Sequence, residues 1–160
     1  MKFKKYMMNE AFDKFGKQLT QIHKKIQKTQ SCEGLQMVVV DAIKTLNGIK
    51  GIGAGIELFF RNYTEVIRKM AIDLSLNTIG TLQYIEMSID PLDGNASKNN
   101  KNREELRKIQ KSIRDNDYKL KLYLAKDRYS DYKVEKLIDF FGQMNDDIKK
   151  VIKIKSKVMK

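Results

Sequence analysis

Phe12, Phe15, Leu19, Ile22 and Ile26 recur at spacings of 3, 4, 3 and 4, which lays them along one stripe of an α-helix and makes a seam of the kind that pairs in coiled coils. Around Ser31, Cys32, Glu33 and Gly34 the register slips. It resumes as Leu35, Val39, Ala42, Leu46, Ile49, Gly53, Ile56, Phe60, Tyr63, Ile67, Met70 and Leu74, alternating 4 and 3, before a later shift to Ile79, Leu82 and Ile89. The pattern predicts one very long helix, or a closely joined pair, over residues 10–88. Unbroken, that rod would extend roughly 110 to 120 Å at 1.5 Å per residue. Leu46, Ile49, Gly53, Ile56, Phe60, Tyr63 and Ile67 are its expected core or dimer seam.

Gly48, Gly51, Gly53 and Gly55 crowd into eight positions of that seam. They match neither the dinucleotide fingerprint nor the P-loop, and no strand-like segment leads into them. Inside a helix each glycine costs roughly 0.8 to 1 kcal/mol relative to alanine. Packing should offset this, through close approach of a neighbouring helix or a local bend. The alternative is a loop dividing two shorter helices.

The clearest break is SIDPLDGN, residues 88–95. Asp90 precedes Pro91 and is pushed away from helical angles, while Asp93, Gly94 and Asn95 supply turn chemistry. Asn102 followed by Glu105 resembles a capping box, so a new helix is expected from 102. It carries Leu106, Ile109, Ile113, Leu120 and Leu124, with polar residues where a core position near 116–117 would fall. A last periodic set is Leu137, Phe141, Met144, Ile148, Val151 and Val158. Residues 102–158 are therefore one basic helix or a hairpin. With 160 residues, one Pro and no Trp, the chain reads as a single all-α domain, elongated and bundle-forming, with a possible amphipathic segment at 1–9 and a break at 89–101.

Charge changes the picture more than composition does. The formal net charge is +12, but it is uneven: residues 1–30 carry +6, residues 31–97 carry −3 and residues 98–160 carry +9. The two ends are therefore the parts expected to meet an anionic partner. In the N-terminal segment Phe3, Met7 and Tyr6 can share a face opposite Lys2, Lys4 and Lys5, as in a short interfacial helix. No run of about 18 apolar residues could span a bilayer, and the reading is of a soluble, cytoplasmic protein peripheral at membranes.

Catalytic constellations are scarce. His23 is the only histidine and Cys32 the only cysteine; no Ser-His-Asp set or zinc cluster is available within the chain, and His23 reads as a helix-surface residue. Glu104 with Glu105, and Asp146 with Asp147, are adjacent in sequence and so point about 100° apart on a helix. Neither an enzyme nor a cofactor is expected.

Together these features resemble a known family. NEAFDKFGKQLTQIHKKIQKTQ (9–30), YIEMSIDPL (84–92) and ELRKIQKSIRDNDYKLKLYLAKDRYSDY (105–132) are similar to the opening helix, the Pro-Leu break and the basic second helix of BAR (Bin/amphiphysin/Rvs) domains. Only about 60 residues follow Asn99, so the hairpin is shorter than is usual in that family. The resemblance implies a homodimer or related heterodimer that senses or generates membrane curvature. It would dock Arg107, Lys108, Lys111, Arg114, Lys119, Lys121, Lys126 and Arg128 on anionic phospholipid. Two other classes fit the residues: a nucleic-acid-binding protein, with Tyr118, Tyr123, Tyr129 and Tyr132 stacking on bases, and a coiled-coil adaptor that binds no lipid.

Overall fold

The first heptad seam stops where a serine can cap a new helix. α1 (Lys2–Lys28) closes with Lys25 and Lys28 at the negative end of its dipole. Ser31 Oγ then accepts the backbone N–H of Gly34 at 3.1 Å, the N-cap bond that starts α2 (Cys32–Lys50). The slip in register at 31–34 is thus a chain reversal. Phe15 of α1 lies on the backbone of α2 at Gly48, where a Cβ would come within 2.8 Å of the ring. That glycine serves the close approach of a neighbouring helix.

This computed structural model describes residues 2–50, 56–89, 96–125 and 131–159, with side chains described for 13–50, 58–89, 99–125 and 134–159. α3 (Ile56–Met87), α4 (Ala96–Leu124) and α5 (Asp131–Val158) complete the chain. Every regular element among the described residues is an α-helix, as the periodicity predicts. None of these helices is long and apolar enough to cross a membrane.

The structure departs from the periodic pattern in two places. The expected rod over 10–88 is three helices, the longest of them α3 with 32 residues, about 48 Å. Of the expected core or dimer seam, Leu46, Ile49, Phe60 and Ile67 are all buried in one core, with Tyr63 packed against it. The helix expected from 102 begins at Ala96, so Asn102 and Glu105 sit inside α4 and form no capping box there; Asn102 is instead buried. Gly51, Gly53, Gly55, the DPLDGN turn at 90–95, and the Ile56 side chain lie outside what is described.

Each helix packs on two principal neighbours in the order α1, α2, α5, α4, α3 and back to α1. Paired residues give the directions. Glu33 and Lys50 of α2 meet Lys155 and Glu135 of α5, Glu86 of α3 and Ile89 just beyond it meet Arg107 and Arg103 of α4, and Ser112 and Asn116 of α4 meet Asp147 and Phe140 of α5; all three pairs are antiparallel. A closed ring of five alternating helices must contain one parallel pair, and here it is α1 with α3. Tyr63 donates to Asp13, His23 bonds Asp73, and Asn77 donates to the Ile26 carbonyl. All three links span 50 or 51 residues. Gly16 leaves room for the Tyr63 ring, which a Cβ there would overlap.

Candidate anion-binding groove

The polar interruption at 116–117 becomes intelligible in the α4–α5 hairpin. Asn116 Nδ2 donates to the Phe140 carbonyl at 3.1 Å, tying α4 to α5 by a polar bond where an apolar knob would have filled the space. Around this tie the two helices leave a groove of about 780 Å³, lined by Asn116 and Phe140 themselves and by Lys108, Lys111, Lys119, Lys136 and Tyr123 among others. Toward the start of α4 it adjoins a second hollow of about 390 Å³ that shares Lys108 and Ser112 and adds Lys150, Lys153 and Lys157. Seven lysines thus face Glu105, Asp115, Asp139 and Asp147 across one concave surface.

Lys108, Lys111, Lys119, Lys150, Lys153 and Lys157 form no ion pair among the described residues. Asp147 is held at the floor, 1% exposed. There Ser112 Oγ donates to it at 2.9 Å and Gln143 Nε2 at 3.2 Å. Burial pushes its carboxyl above the usual aspartate range, against the pull of those two hydrogen bonds and of Lys150. The groove therefore sets ammonium groups that form no ion pair among the described residues beside a buried, hydrogen-bonded carboxyl, an arrangement suited to an anion.

The expected basic residues divide by helix face. Lys108, Lys111 and Lys119 line the groove. Arg107 turns toward α3 and pairs with Glu86 at 3.4 Å, Arg114 is exposed outside the groove lining, and Lys121 pairs with Asp117 at 3.1 Å. The side chains of Lys2, Lys4, Lys5, Lys126 and Arg128 lie outside what is described, as do those of Phe3, Tyr6, Met7, Tyr129 and Tyr132. Tyr123 lies in the groove with the Lys136 ammonium 5.6 Å from its ring centre, and Tyr118 is exposed on α4.

Sequence reasoning missed the α5 half of this surface. Lys150, Lys153 and Lys157 stand at spacings of 3 and 4, a basic stripe running alongside the apolar set that predicts the helix. His23 is also not the surface residue expected: its Nε2 lies 2.6 Å from Asp73 Oδ2 in the α1–α3 interface. Cys32 is fully buried, and burial, with Glu33 adding to it, pushes its thiol up to about 11, which removes it as a nucleophile at neutral pH.

The chain matches no protein-family model, no curated protein and no solved structure.

Proposed function

We propose that this protein is a peripheral membrane-binding module that acts by binding rather than by catalysis, laying the α4–α5 groove on anionic phospholipid at the cytoplasmic surface. One observation carries the reading. Two antiparallel helices contribute seven lysines to a single concave surface, and six of these have no carboxylate pairing with them among the described residues. Each lysine near an anionic leaflet contributes about 1 kcal/mol, fading within a Debye length. Several together outweigh the cost of bringing a protein to a surface.

A BAR-like role in sensing or generating curvature goes one step further. It draws on the resemblance of residues 9–30, 84–92 and 105–132, and it requires a dimer. The outward side of α3 leaves Leu76, Tyr84 and Met87 exposed at helical spacing, the apolar stripe that a second copy in a homodimer, or a related chain in a heterodimer, would cover.

Sedimentation with vesicles tests the core of the proposal. Binding to anionic vesicles that weakens with salt, and none to neutral ones, supports it. Tubules seen by microscopy support the curvature role. A salt-sensitive shift of nucleic acid without vesicle binding would replace membrane with nucleic acid; indifference to both ligands would favour an adaptor. The placement of Lys136 over Tyr123 favours lipid, since it takes up part of the aromatic face that a base would need.

A further inference from the structure

We infer that the hollow between Lys108 of α4 and Lys150, Lys153 and Lys157 of α5 is a site for a compact group bearing two or more phosphates, a polyphosphorylated cyclitol being the chemical class that fits. The inference rests on the membrane reading only for the source of that ligand. Lys150, Lys153 and Lys157 share one face of α5, and Lys108 joins them from the opposite wall of the same hollow. Like charges at such helical spacings destabilise a helix by a few tenths of a kcal/mol per pair. The chain leaves this cluster without an ion pair among the described residues, whereas Lys155, on the neighbouring face of the same helix, meets Glu33 at 3.3 Å. The helix dipole favours cations only in the last turn, which accounts for Lys157 and not for Lys150.

The hollow's shape and chemistry narrow the occupant. Its volume of about 390 Å³ is at the small end of ligand pockets, which run from about 300 to 1,000 Å³. Four flexible ammonium groups can balance two phosphomonoesters, each carrying close to two negative charges. Ile109 and Ile154 form apolar wall against which the C–H face of a ring can rest. Ser112 gives its proton to Asp147, so the lysines alone supply donors, and the Glu105 carboxylate disfavours anions too diffuse to engage all four cations.

A lipid headgroup and a soluble molecule can both carry such phosphates, and one experiment separates these sources. Calorimetry with soluble inositol 1,4,5-trisphosphate should give binding to the full chain at least tenfold tighter than inorganic phosphate. Lys150→Gln with Lys153→Gln should lose at least tenfold, while Lys24→Gln with Lys25→Gln, which removes the same charge from the exposed face of α1, should retain it. Equal loss in both variants, or no preference for the trisphosphate, overturns the site even if vesicles of phosphatidylserine still bind. With the site upheld, preference for bisphosphorylated lipid over phosphatidylserine at matched surface charge identifies the headgroup as the source. No such preference identifies the soluble molecule. Trisphosphate binding with no vesicle binding of any kind upholds the site and overturns the membrane proposal.

Discussion

His23 Nε2 lies 2.6 Å from Asp73 Oδ2, joining α1 to α3 across 50 residues of sequence. This bond holds the one parallel pair in the ring, where aligned dipoles gain nothing from each other and the register must come from side chains. We expect His23→Ala and Asp73→Ala to be non-additive in urea unfolding, with a coupling of about 1 kcal/mol. Additive losses would mean that the pair does not set the register.

Gly16 tests the same interface sterically. In an open helix interior Gly→Ala stabilises by about 1 kcal/mol, and Gly80, with no atom within 4 Å of the place a methyl would take, should behave so. At Gly16 the methyl would overlap the Tyr63 ring, so Gly16→Ala should instead destabilise by about 1 to 3 kcal/mol. In a Tyr63→Ala background the penalty should vanish. Persistence of the loss there would place the strain elsewhere.

Asp147 links the groove floor to pH. Its carboxyl is raised by burial, so the folded chain holds that proton to higher pH than the unfolded chain, whose aspartates titrate at about 3.9. Its contribution to stability is thus complete below the unfolded value and is lost as pH rises through the folded one. Asp147→Asn keeps an acceptor for Gln143 and removes the titration. The wild type should therefore lose stability relative to this variant as pH is raised from about 4 toward neutrality in thermal unfolding. A difference that stays constant, or shrinks, contradicts burial as the cause.

The helices were legible because apolar spacing encodes one buried face whatever that face meets. Leu46, Ile49, Phe60 and Ile67 all fall in the core, as the seam required. What packs on what was not legible: a 4-3 pattern looks the same when it continues through a rod and when it folds back. The reversal starts at the local Ser31 cap but depends on Gly48 admitting Phe15, a contact that forms only once the chain has turned. The basic half of α4 was visible in the sequence. Its division into groove-lining Lys108, Lys111 and Lys119 and outward-turned Arg107 was not, because Glu86 arrives from another helix. Lys150, Lys153 and Lys157 were written plainly in the sequence, yet their meaning depends on Lys108 standing opposite.

The measurement that bears most directly on docking compares two charge reversals of equal size in vesicle sedimentation at physiological salt. Lys111→Glu with Lys119→Glu alters the groove; Lys24→Glu with Lys25→Glu alters the exposed face of α1. At about 1 kcal/mol per cation, the groove variant should bind anionic vesicles at least about tenfold more weakly than the wild type, while the α1 variant stays within about twofold. Equal weakening of both, or undiminished binding by the groove variant, would contradict docking through α4 and α5.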